Sequence, residues 1–199
     1  MRLAQLEQLA VNSGLVGPDF LESLLAPLRD AALSDRLWRP VANPKGFELL
    51  AQGAPASCVF VLESGLVKLA YRTAEGGERI KSFIVDKGLF GPGLGEKEVR
   101  FAATTLEPST TVALPARWLA ARIADSAELQ SARLHFEAWL RARKQAREQA
   151  LLCDSAETRY RAFLRNEPEL AGRLQQADIA RFIGVTPIAF SRIKRRISA

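Results

Sequence analysis

Arg192, Lys194, Arg195 and Arg196 place four cations in the last eight residues, with no acid among them. A guanidinium is a planar fork of donors that matches a guanine edge or a phosphate, whereas an ammonium is a point charge suited to phosphate. The same side chains would also serve as the solvated rim of a core helix. The rest of the chain offers little for covalent chemistry. His135 is the sole histidine, and it lies in a charged helical stretch. Cys58 and Cys153 are far apart and in no metal-ligand spacing, which argues against a cysteine-ligated cluster or a disulfide framework. No paired carboxylates and no nucleophile–base set stand out. The expectation is a protein that is not an enzyme and holds no metal and no cofactor.

The residues around the cations have a recognisable order. With Gln176 as position 1 of a twenty-residue helix-turn-helix, Ile179, Ile183, Val185, Phe190 and Ile193 fall at the apolar core positions. Ala180 falls where a crossing helix demands a small side chain, and Gly184 where the first helix must end in a left-handed turn. Thr186 suits an N-cap, and Pro187 suits the first helical position, where its missing N–H costs nothing. Removing the core positions leaves Ser191, Arg192 and Arg195 on the outer face, with Pro187 and Ile188 at its start. Arg192 and Arg195 can each donate two hydrogen bonds to a guanine edge, Ser191 can bond a base or a phosphate, and Lys194 and Arg196 suit phosphates. This spacing favours double-stranded DNA as partner over a structural helical hairpin with a basic rim.

Charge agrees with that direction. Residues 117–199 hold 16 Lys/Arg against 9 Asp/Glu, whereas residues 1–116 hold 12 against 13. A polyanion is the natural partner of the second part.

Other elements must carry this unit. Residues 3–34 read as helical, interrupted at Gly17-Pro18, with Asp19 as a cap for "FLESLLAPL". From 36 to 116, short apolar runs alternate with Gly, Pro and Asn. Strands are expected at 36–41, 46–51, 57–65, 66–73, 79–85 and 110–116, with "AEGGE" (74–78) as a hairpin loop. Such spacing suggests a β-sandwich or barrel. Residues 117–153 contain no Gly or Pro and read as helix, with Ser126 able to cap a restart. Positions 132, 136, 139, 143, 146 and 150 form a coiled-coil-like stripe interrupted by Arg143. It would pair with a second copy, pack on its own chain, or do both on different faces. Asp154 or Ser155 would cap a further helix, which "NEP" ends.

Taken with these residues, the chain resembles bacterial regulators of the cyclic AMP receptor and fumarate–nitrate regulator type (Crp/Fnr). "LLAQGAPASCVFVLESGLVKLAYRTAEGGERIKSFIVDKGLFG" (49–91) is similar to that family's β-roll, with Gly53 and Gly65 at its two glycine positions. The resemblance implies an α+β fold: a cyclic-nucleotide-binding-like β-roll over 1–116, a long dimerisation helix region over 117–153, and a helix-turn-helix domain over 154–199. It implies a homodimer on a two-fold DNA site, with RNA polymerase and a small effector as further partners.

Departures from the family narrow the expectation. Gly91 is followed by Pro92, so the carboxylate that holds a ribose in cyclic-nucleotide binders has no counterpart. Arg100 stands at the family's phosphate arginine, but Phe101 replaces the hydroxyl residue beside it. Gly91, Arg100 and Phe101 therefore mark the candidate ligand position, with cyclic AMP not expected there. The Gly-rich "GLFGPGLGEKE" lacks the Lys-Ser/Thr of a phosphate loop. Pro187 and Ile188 stand where members reading a guanine-containing site carry Arg and Glu. With Ala199 as the last residue, no β-hairpin wing is expected. Since no run is apolar enough for a membrane span and the first residues read as helix, a cytoplasmic transcription regulator is expected. The alternative is a ligand-binding β-roll whose basic helix contacts a protein partner. Effector, operator and sign of regulation are not legible.

Overall fold

The computed structural model describes residues 19–198. The segment before it, including the Gly17-Pro18 break, lies outside the described residues. Helix α1 (Asp19–Ser34) leads into eight strands: β1 (Val41–Asn43), β2 (Glu48–Leu50), β3 (Cys58–Ser64), β4 (Leu66–Arg72), β5 (Glu78–Val85), β6 (Gly88–Phe90), β7 (Ala102–Thr105) and β8 (Ser109–Pro115). Helices α2 (Ala116–Ala124), α3 (Ala127–Cys153), α4 (Ala156–Asn166), α5 (Pro168–Arg173), α6 (Gln176–Phe182) and α7 (Pro187–Ser198) follow. The strands form two antiparallel sheets, ordered β1-β8-β3-β6 and β2-β7-β4-β5. The fold is α+β, a β-roll followed by helices.

Most of the expected strands are present, with corrections at three places. Residues 36–40 form no strand. Arg36 adopts φ 58° and the strand begins only at Val41, because Leu37 and Trp38 turn their N–H groups back to the Ala32 carbonyl. Strands β6 and β7 were not expected. Their three and four residues are too short to show alternation, and Ala102 and Ala103 of β7 are buried because β7 lies between β2 and β4. "AEGGE" does turn the chain between β4 and β5: the Gly77 carbonyl accepts from Thr73 N–H, and Gly76 supplies φ 75°.

Strand β5 contains the detail that later matters most. Leu69 of β4 pairs with Ser82, and its neighbour Ala70 pairs with Ile80, so Lys81 is the extra residue of a β-bulge. The bulge shifts the side-chain phase and lets Ile80, Phe83 and Val85 share one buried cluster. Gly65, between β3 and β4, shows why a glycine stands there. Its φ is 114°, and an added Cβ would lie 2.2 Å from Ser109 Oγ.

Helix α1 uses Leu21, Leu24, Leu25, Leu28 and Ala32, three or four residues apart, to cover Val59, Val61, Val112 and Leu114 of β3 and β8. Residues 117–153 form two helices, and Ser126 accepts from Leu129 N–H to start the second. The stripe on α3 is divided. Leu129 and Ala132 join the α1 cluster with Phe136 against it, and Trp139 is buried, so this half packs on its own chain. The same helix exposes Leu134, Leu151 and Leu152.

Candidate nucleic-acid interface and nucleotide-type pocket

The segment 154–198 folds by local rules. Ser155 accepts from Thr158 N–H at the start of α4, and Asn166-Glu167 ends it before Pro168 opens α5. Helices α6 and α7 meet at a tight turn where Gly184 has φ 80°. Thr186 Oγ1 accepts from Ala189 N–H and Pro187 is the first helical residue. Ile179, Ala180, Ile183, Phe190 and Ile193 are buried, and Val185 and Ile197 pack against them. The ring of Phe190 meets Tyr160 edge-on at 4.8 Å. The helix-turn-helix is thus present, with the core positions that the spacing implies.

Burying positions 190, 193 and 197 sends positions 188, 191, 192 and 195 to the opposite face of α7. Pro187, Ser191, Arg192, Arg195 and Arg196 are exposed, as is Thr186; Lys194 is half-buried. Ile188 is 71% exposed. Ser191 Oγ donates to the Pro187 carbonyl at 3.1 Å, which leaves its oxygen free to accept. Arg192, Lys194, Arg195 and Arg196 make no hydrogen bond and no ion pair among the described residues. The cations of the preceding helices differ. Arg161 pairs with Glu157, Arg181 with Asp178 and Glu78, and Arg159 donates to the Ile183 and Asp154 carbonyls.

The helix-turn-helix is also docked on its own β-roll. Leu66, Ile80, Phe83 and Val85 share one cluster with Tyr160, Phe163, Leu170, Ile179 and Phe190. Around it, Arg173 donates to Glu107, to Asp86 at 3.1 Å and to the Gly65 carbonyl at 2.9 Å. Lys68 lies 2.6 Å from Glu78 and 3.8 Å from Asp178. Arg147 of α3 donates to the Ile80 and Phe182 carbonyls, both at 2.9 Å, with its guanidinium 4.0 Å from the Phe182 ring. Burial pulls its pKa down to about 10, so it stays charged. Neither Arg147 nor Arg173 was expected to matter. Their partners are 35 to 108 residues away, and no local spacing signals them.

Gly91, Arg100 and Phe101 stand in three different settings. Gly91 packs so closely that an added Cβ would lie 3.0 Å from Val59 Cα. The Arg100 side chain is 79% exposed and its only partner among the described residues is Glu96, 3.6 Å away. It edges an open hollow formed with Gln52, Gly53 and residues 94–99. Phe101 is buried with Leu62, Val67, Leu69, Phe90 and Val99. The bulged Lys81 sets its Nζ 4.1 Å from the centre of that ring. Burial, with repulsion from Lys144 of α3 and slight relief from Glu96, lowers the Lys81 pKa to about 8. The position beside Arg100 thus holds a buried ring capped by an ammonium.

Solved structures share this architecture. The chain is similar to FixK2 from Bradyrhizobium japonicum at 18% identity, covering 81% of this chain and 84% of that one, with TM-score 0.72. It is similar to the c-di-GMP responsive global regulator CLP of Xanthomonas campestris at 13% identity, covering 87% and 91%, with TM-score 0.71. A CRP/FNR family transcriptional regulator from Thermus thermophilus matches at 18% identity, covering 80% and 86%, with TM-score 0.66. No protein-family model matches the sequence, and no curated protein sequence does. At such identities it is the fold that is shared, and the chain has the Crp/Fnr-type fold.

Proposed function

We propose that the protein is a homodimeric, sequence-specific DNA-binding transcription regulator that inserts α7 into the major groove and works without cyclic AMP. The observation that carries this reading is the outer face of α7. Arg192, Arg195 and Arg196 stand exposed and Lys194 half-buried at its edge, all four unpaired among the described residues, on a helix held from behind by a buried apolar seam. Long charged side chains elsewhere in 154–198 are largely paired, so solvation of a core helix is a poor account of these four. Arg192 is the base reader, Ser191 bonds a base or a phosphate, and Lys194, Arg195 and Arg196 hold the backbone.

Dimerisation rests on α3, whose 27 residues span about 40 Å and expose Leu134, Leu151 and Leu152. Two copies joined there would present two α7 helices to a two-fold site. The filled position at Phe101 supports independence from cyclic AMP. No described helix is long and apolar enough to cross a membrane, and a cytoplasmic location follows from work on DNA, where RNA polymerase is the further partner. No catalytic step is part of this reading.

The test is enrichment of bound duplexes from a random pool by the full chain, then anisotropy at about 150 mM salt. An enriched duplex bound roughly 10³-fold more tightly than random sequence is the expected outcome. Equal affinity for both would end the reading. Sedimentation should give a dimer, shifted to monomer by L134K/L152K, and cyclic AMP should leave the affinity unchanged.

A further inference from the structure

Ile188 is the one large apolar side chain that 154–198 leaves exposed among the described residues. It contributes nothing to the α7 core, which Phe190, Ile193 and Ile197 form. Its position is also a poor one for folding. A β-branched residue has only modest helix propensity, and the first turn of a helix favours a carboxylate that meets the positive end of the dipole. The first turn of α7 contains no acid. What stands there is an exposed isoleucine beside an exposed proline that has no N–H to offer. Ser191, Arg192 and Arg195 lie three, four and seven residues further along the same face.

Resting on the proposed DNA-binding role, we infer that Ile188 is a specificity-determining residue that reads the 5-methyl group of a thymine. Unpaired cations on α7 bring this turn against a polyanion, and the thymine methyl is the apolar group on a base-pair edge in the major groove. A carboxylate at this position would accept from the amino group of a cytosine. An isoleucine adds apolar contact without charge and selects thymine over cytosine by its methyl alone. Arg192 lies one turn further on, roughly 6 Å along the helix axis. With bases about 3.4 Å apart on a strand, the thymine read by Ile188 and a guanine read by Arg192 fall within about two base-pair steps.

The experiment starts from the best duplex enriched by the full chain. Each thymine is replaced in turn by deoxyuridine, which removes only the methyl, and each duplex is titrated with wild type and with I188A. As Ile188 is exposed, the variant should keep the wild-type circular dichroism. One thymine per half-site should weaken wild-type binding by about 3- to 5-fold on replacement, the worth of one buried methyl, and I188A should be indifferent to that replacement. If every replacement leaves wild-type affinity within about 1.5-fold, the inference is wrong while the enriched duplex keeps the DNA-binding reading intact. Sensitivity that persists in I188A assigns the methyl to another residue and also overturns it. An absence of any enriched sequence removes both.

Discussion

Arg100 and Arg192 are both exposed arginines at positions where the family resemblance places a ligand contact, a phosphate for the first and a base for the second, and their surroundings are opposite. Beside Arg100 stand Glu96, which pairs with it, and Phe101, buried under the Lys81 ammonium. Beside Arg192 stand Ser191, Arg195 and Arg196, with no acid on α7 and no partner for any of the cations among the described residues. One arginine is paired with an acid and stands next to a buried, capped ring. The other belongs to a face that the protein has left open while building a core behind it. Exposure of a motif residue is therefore weak support for a site, and the absence of internal partners around it is the stronger sign.

The largest way to break this contrast is to remove the platform beneath α7. F190A deletes a ring that is 1% exposed, and should cost about 3–5 kcal/mol in guanidinium chloride denaturation, with loss of specific DNA binding. A site whose geometry did not depend on that seam would keep its binding.

The capped ring has its own signature. Lys81 is held near pKa 8 against an ordinary 10.5, so between those values the unfolded chain binds more protons than the folded one. Stability should therefore rise with pH across roughly pH 8 to 10, by on the order of 2–3 kcal/mol. K81M should remove that component and be the more stable protein at pH 7. Identical pH profiles of stability for wild type and K81M would show that Lys81 is not confined over Phe101.

A smaller effect is expected from R192A, about 1–3 kcal/mol of affinity for the enriched duplex, with relaxed preference at one base pair in each half-site. A uniform loss across all sequences would make Arg192 a phosphate contact instead. R100A should do least, within about 0.5 kcal/mol in stability and without a change in DNA affinity. A marked change would return Arg100 to the functional residues.

How much of this was legible beforehand differs between the same two regions. The helix-turn-helix could be read from Ala180, Gly184 and the apolar positions around them, because each rests on contacts within one short segment. Thr186 and Pro187 could be assigned for the same reason. Phe101 was visible as a departure from the family's hydroxyl residue, but nothing local showed that the ring would be buried under Lys81, twenty residues earlier. Strand β7 was hidden because burial on both sides lets it be built from alanine and threonine, without alternation. The coiled-coil-like stripe on α3 was visible, yet the division of its residues between the chain's own core and the outer surface was not.

By itself the sequence determined what periodicity can carry: the long helix after residue 116, the β4–β5 hairpin, and the helix-turn-helix with its apolar seam and outward cations. Backbone geometry imposes those spacings residue by residue, so they survive without knowledge of distant partners. Only the tertiary structure decided that Lys81 is a bulge, that its ammonium caps the Phe101 ring, and that Arg147 and Arg173 tie the helix-turn-helix to the β-roll. Those contacts join residues 20 to 108 apart in the chain. Such pairings depend on which surfaces the fold brings together, and a single buried ammonium or a single bulge leaves no repeating pattern in the residues that precede it.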